Sequence, residues 1–114
     1  MATQKFATLS DLLSVGIPTH PALVVPEGGP VVTYESLQAQ VARLATRLEE
    51  LGIGRGDRVA MALPNGIEII TAFLAVGAAA ATAAPLNPAY TTEEFRFYLE
   101  DIEAKVLLLS LIHI

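Results

Sequence analysis

The sequence predicts an α/β fold: a parallel sheet with helices on its faces, preceded by a short β-hairpin. Three observations carry that reading. After Thr33, segments with apolar residues at helical spacing alternate with short apolar runs, in the order helix–strand–helix–strand–helix–strand. Those runs are apolar almost throughout, as strands covered on both faces are, and such strands join through right-handed helical crossovers. Upstream, two short apolar arms flank Pro26-Glu-Gly-Gly-Pro30, a run with the composition of a turn.

Taken in order, Thr8 and Ser10 are candidate caps for a short helix through Leu12 and Leu13 that ends near Gly16. Pro18 to Pro21 is a loop containing His20, Ala22–Val25 is the first arm of the hairpin, and Val31–Thr33 is the second. Thr33 caps the first long helix. Leu37, Val41, Leu44, Leu48 and Leu51 recur on it at steps of four and three, and Gly52 is placed to end it in the left-handed conformation. Gly54–Asp57 turns into a strand over Arg58–Leu63, which Pro64-Asn65-Gly66 stops. Asn65, with Glu68 three positions on, is the expected cap of a helix from Ile67 to about Ala81. Thr82–Leu86 is the next strand; Pro85 and Pro88 end it by keeping the residues before them out of the helical region. Thr91 and Glu94 have the spacing of a capping box for a helix whose inner face is Phe95, Leu99 and Ile102, with Tyr98 beside it. Lys105–Leu109 is the last strand.

The 114 residues suit one domain. A content of 53% apolar and 17% charged residues excludes a disordered chain. The net charge of −5, without any Lys/Arg cluster, removes the electrostatic footprint of nucleic-acid binding and disfavours an anionic membrane surface. With no cysteine there is neither a disulfide frame nor a thiolate metal site. The first residues, Met1–Ala7, lack the apolar core of a secretory signal, so a cytoplasmic location is expected. Between Ile69 and Thr92 there is no charged residue, but the stretch is alanine-rich, interrupted by two prolines and not flanked by Trp or Arg/Lys anchors. A buried helix and strand are expected there, and no membrane span.

No catalytic constellation emerges from the residues. Gly52-Ile-Gly-Arg-Gly56 follows a helix and opens a strand, the reverse of a phosphate-binding loop, so it reads as a helix stop and turn. There is no Gly-Lys pair for a Walker loop and no Gly-x-Ser-x-Gly elbow. Arg55-Gly56-Asp57 reads as turn chemistry. The adjacent acids Glu49/Glu50, Glu93/Glu94 and Glu100/Asp101 do not face each other on helices, and His20 and His113 are far apart. The expected catalytic, cofactor-binding and metal-binding residues are therefore none.

Several segments together resemble the N-terminal part of the adenylate-forming (AMP-dependent synthetase/ligase) enzymes, of the acyl-CoA synthetase and 4-coumarate–CoA ligase type. They are Val32-Thr-Tyr-Glu-Ser-Leu37, Leu51-Gly-Ile-Gly-Arg-Gly-Asp-Arg-Val-Ala60, Leu63-Pro-Asn65, Phe73-Leu-Ala-Val-Gly77 and Ala84-Pro-Leu-Asn-Pro88 leading to Thr92-Glu-Glu-Phe95. Ala81–Asn87 with Tyr90–Phe95 and Phe97-Tyr-Leu99 resembles the oxalate–CoA ligase branch in particular. The resemblance implies an ATP-dependent, AMP-forming acid–CoA ligase. A small carboxylic acid attacks the α-phosphorus of ATP to give an acyl-adenylate, CoA then displaces AMP, and magnesium neutralises the phosphates. It also implies that residues 1–108 are a truncated N-terminal portion of the AMP-binding (adenylation) domain, inactive alone, because no residue matches a catalytic position of the family.

The closing Leu109-Ser-Leu-Ile-His-Ile114 leaves the family pattern and is what a transposon-end sequencing adapter encodes in one frame; residues 109–114 are expected to be a non-native tail. A missing C-terminus carrying a peroxisomal address would change the expected location. The alternative reading is a stand-alone α/β interaction module that binds a partner through Pro85–Tyr90. Under either reading the chain alone is expected to show no affinity for ATP.

Overall fold

A computed structural model describes residues 8–109. The elements run α1 (Leu9–Leu13), β1 (Pro21–Val24), β2 (Val31–Thr33), α2 (Tyr34–Glu50), β3 (Arg58–Ala62), α3 (Ile67–Ala78), β4 (Thr82–Pro85), α4 (Thr92–Asp101) and β5 (Val106–Leu109). The N-terminal segment Met1–Ala7 and the residues after Leu109, His113 among them, lie outside the described residues.

β1 and β2 form the expected antiparallel hairpin, with Val25 N–H donating to the Pro30 carbonyl at 3.0 Å across the turn. Glu27 and Gly28 make that turn with φ of 62° and 79°. The other three strands form a parallel sheet in the order β4-β3-β5. β3 is central because both of its neighbours cross over to it, and Val59, Ala60 and Met61 are wholly buried between strands and helices.

α3 seals the core on one face of the sheet, where Ala72, Val76 and Ala79 meet Val59, Met61, Leu48 and Ile53. Burial of a side chain such as Val59 or Met61 stabilises the fold by about 1.5–3 kcal/mol. A second cluster joins the hairpin to the helices: Val32, Leu37, Val41 and Ala45 close around Ala75 of α3. Small residues along α3 let α2 approach closely.

Three expectations about the helices are corrected. Leu51 is 54% exposed because it is the C-cap of α2, and Ala45 takes its place in the buried stripe. Asn65 does not cap α3. The chain enters that helix through Gly66, at φ 152°, which moves the cap position to a residue with no side chain to accept a hydrogen bond. α3 ends at Ala78 instead of Ala81, because Ala80 turns left-handed with φ 64°.

The other caps are as expected. Oγ1 of Thr8 accepts from Asp11 N–H at 3.1 Å, and Oγ1 of Thr33 accepts from Ser36 N–H at 3.2 Å. Thr91 and Glu94 form a complete capping box. The predicted inner face of α4 is the right one, but Phe95, Tyr98, Leu99 and Ile102 are half-buried and no residue of this helix is fully buried.

Candidate functional site

Parallel strands bring the loops at their C-terminal ends to one edge of the sheet, where ligands of α/β proteins are usually met. Here β3 runs on into Leu63-Pro64-Asn65 and β4 into Leu86-Asn87-Pro88. Leu86 N–H donates to the Met61 carbonyl at 2.8 Å, which locks the second loop beside the first. Between them lies an open cleft of about 470 Å³, walled by Leu63, Pro64, Ile69, Pro85, Leu86 and Pro88, with Asn65 and Asn87 as its polar side chains.

The far wall is rigid. Asn87 Oδ1 accepts from Ala89 N–H at 2.9 Å, and the Asn87 carbonyl accepts from Tyr90 N–H at 3.1 Å. Tyr90 stacks on Tyr98 with ring centroids 4.9 Å apart and meets Phe95 edge-on at 5.7 Å. Thr91 N–H then donates to Glu94 Oε1, and Glu94 N–H to Thr91 Oγ1, both at 3.2 Å. The loop is thus held between a strand ladder and a capped helix. Loss of hydration raises the Tyr90 phenol above its ordinary value, and the neighbouring Tyr98 hydroxyl and Glu94 carboxylate add to the shift.

The wall residues offer apolar surface, two carboxamides and backbone groups. They include no acid, base or nucleophile, so the cleft can hold or orient a group but cannot move a proton or form a covalent intermediate. It also has no carboxylate for a magnesium ion and no cation for a phosphate. Among the described residues no three His, Asp or Glu side chains come together to hold a metal.

The other features read from the sequence lie elsewhere. The glycine-rich turn is at the opposite edge of the sheet, where Asp57 Oδ2 accepts from Gly54 N–H at 2.8 Å. Lys105 stands 3.6 Å from Asp57 there and donates to the Gly52 carbonyl at 3.1 Å. That end is stitched into a turn. His20 is exposed and its carbonyl accepts from Tyr34 N–H, while Glu50 pairs with Arg47 at 3.1 Å. Sequence reasoning did not bring Leu63-Pro64-Asn65 together with Leu86-Asn87-Pro88. The available signal was a Pro and an Asn immediately after each of two parallel strands.

Comparisons with known proteins bear on this arrangement. A family model described as AMP-binding enzyme matches residues 16–113. Oxalate–CoA ligase of Arabidopsis thaliana is 51% identical over 80 residues, which cover 69% of this chain and 16% of that protein. Oxalate–CoA ligase of Saccharomyces cerevisiae is 36% identical over 107 residues, 89% of this chain and 19% of that one. Among solved structures, a Mycobacterium tuberculosis fatty acyl CoA synthetase superposes with a TM-score of 0.80 at 32% identity, over 90% of this chain and 21% of its own. Apo MatB from Rhodopseudomonas palustris gives 0.83 at 30% identity, over 93% and 21%. The chain therefore spans about a fifth or less of the length of these relatives.

Proposed function

Because the chain belongs to the AMP-binding enzyme family, we propose that it is the N-terminal portion of an ATP-dependent, AMP-forming acid–CoA ligase. In that enzyme it acts as a scaffold. Its sheet and its Pro-Asn loops support a carboxylate and nucleotide site whose reacting groups are contributed by other segments. The carrying observation is the family match over residues 16–113, which takes in both strand ends that wall the cleft.

The chemistry of such a ligase has two displacements. A carboxylate oxygen bonds to the α-phosphorus of ATP as pyrophosphate leaves, and the thiolate of CoA then bonds to the acyl carbon as AMP leaves. Magnesium supplies charge neutralisation to the phosphates in that chemistry. The lining of the cleft, which has no carboxylate, does not fit that ion. Oxalate is the acid favoured by the relative that is 51% identical, itself named an oxalate–CoA ligase.

A graft tests the proposal. Residues 16–109 of this chain replace the corresponding segment of the Arabidopsis oxalate–CoA ligase, and oxalate- and ATP-dependent release of pyrophosphate and AMP is measured. A scaffold role keeps turnover within about tenfold of the parent, a change of about 1.4 kcal/mol in barrier. A folded chimera that forms no adenylate overturns it. Calorimetric titration of the 114-residue chain with ATP is expected to show no heat of binding, and tight binding by the chain alone would assign it the nucleotide site instead.

A further inference from the structure

The loop that carries Asn87 is held from two sides. Toward the sheet, Leu86 N–H donates to the Met61 carbonyl at 2.8 Å. Toward α4, Tyr90 N–H donates to the Asn87 carbonyl at 3.1 Å, and the Tyr90 ring is packed on the helix. Tyr90 directly precedes Thr91, the cap of α4, and Phe95 is the fourth residue of that helix. Apolar packing between these two positions fixes the angle at which a chain enters a helix. Here the two rings meet edge-on with centroids 5.7 Å apart, and Tyr98 adds a stack on Tyr90 at 4.9 Å.

What that entry angle positions is a carboxamide. Asn87 Oδ1 accepts from Ala89 N–H at 2.9 Å. An amide side chain has one oxygen acceptor and one NH2 donor group, so the group left over is the NH2. Among the described residues that NH2 has no protein partner, and the cleft wall around it carries no charged side chain. A preset neutral donor beside the carboxyl end of a parallel strand is suited to an acceptor atom of a bound molecule. Asn65, on the other loop, has no comparable hold: among the described residues no hydrogen bond fixes its side chain.

We propose that Tyr90 is a positioning residue for the AMP-forming ligase proposed above, a reading on which this inference rests, and that it acts through Asn87. Its packing on α4 sets where the Asn87 NH2 stands in the cleft, and that donor binds an acceptor atom of one reactant. The cleft holds no acid, base or nucleophile, so the pair contributes to holding that reactant and not to the bond changes. A contact that serves ground and transition states alike shows in KM and leaves kcat unchanged. A residue that only keeps the chain folded behaves in the opposite way. Its loss lowers the active fraction, and with it the apparent kcat, and leaves KM alone.

Steady-state kinetics on the chimera described above, with oxalate, ATP and CoA varied in turn, test this. Asn87→Ala should raise the KM of one reactant by roughly threefold to tenfold, as for the loss of one hydrogen bond, with kcat held. Tyr90→Leu, which removes the ring and keeps apolar bulk, should raise the same KM. Tyr90→Phe, which keeps the ring, should restore it. The double variant Asn87→Ala/Tyr90→Leu should be no worse than the worse single variant, because one residue acts through the other. Thermal melts accompany each variant, and Tyr98→Leu gives the same readout from the helix side if Tyr90→Leu does not fold. The proposal is overturned if Tyr90→Leu lowers kcat with every KM unchanged, or changes neither. It is also overturned if Tyr90→Leu raises a KM that Asn87→Ala does not, or if the two effects add. A folded, unsubstituted chimera that forms no adenylate overturns the ligase reading as well, whereas any of those results in an active chimera overturns the positioning role alone.

Discussion

Ala80 and Glu103 hold φ of 64° and 52°, left-handed values that raise the energy of an L-residue by about 1–2 kcal/mol. Each closes a helix in the same way as Gly52, with φ 85°, closes α2. Ile53 N–H donates to the Leu48 carbonyl, Ala81 N–H to Val76 and Ala104 N–H to Leu99, at 3.0, 3.1 and 3.2 Å. These six-to-one bonds define the Schellman stop. Ala80→Gly should therefore stabilise the chain by about 0.5–1 kcal/mol, after allowing for the freer unfolded backbone of glycine. Gly52→Ala should destabilise it by about 1–2 kcal/mol. Urea unfolding of both variants beside the parent checks the opposite signs. Tyr90 gives a second prediction at this scale. Its raised pKa means that the folded state favours the neutral phenol. The linked stability is fully present below the ordinary tyrosine value of 10.0 and is lost as pH rises through the higher folded value. Absorbance titration of the Tyr34→Phe chain, which keeps the Tyr90–Tyr98 pair, should show ionisation later than in the unfolded chain; coincident curves would remove the effect.

At the scale of elements, the helix starts separate real caps from apparent ones. Thr33→Ala and Thr91→Ala should each cost about 1 kcal/mol, because each hydroxyl accepts from a first-turn N–H. Asn65→Ala should stay within about 0.5 kcal/mol, because no side chain caps α3. Thermal melts of the three variants measure the contrast. The same contrast shows what was legible in the sequence. The strand and helix order, the hairpin, the two threonine caps and the capping box follow from local patterns that survive packing. Asn65 failed as a cap because Gly66 takes an unusual backbone angle that residue type alone does not announce. The end of α3 was missed for a related reason: its left-handed stop falls on Ala80, where glycine would have been the signal. The cleft was half legible. Its loops carry plain turn chemistry, but their adjacency depends on the order β4-β3-β5, which local pattern does not determine.

At the scale of the whole molecule, Ala75 carries the second core cluster onto α3, whose Ala72 and Val76 belong to the first, and it is fully buried. Ala75→Leu should force α2 and α3 apart and destabilise both clusters together by about 1–3 kcal/mol, seen as one lowered cooperative transition. Two separate transitions would show that the hairpin with α2 and the parallel sheet melt independently. The same layout has a consequence for synthesis. β3 is the middle strand, yet both of its partners come later in the chain: Val59 pairs with Ala83 and then with Val106. A nascent chain therefore carries a strand that is apolar on both faces and lacks its second neighbour until Val106–Leu109 has left the ribosome. Pairings so distant in sequence form slowly and leave sticky intermediates. The yield of folded chain should then depend on what shields Arg58–Leu63 during translation, and a holding chaperone that binds short apolar strands is the natural custodian of that interval.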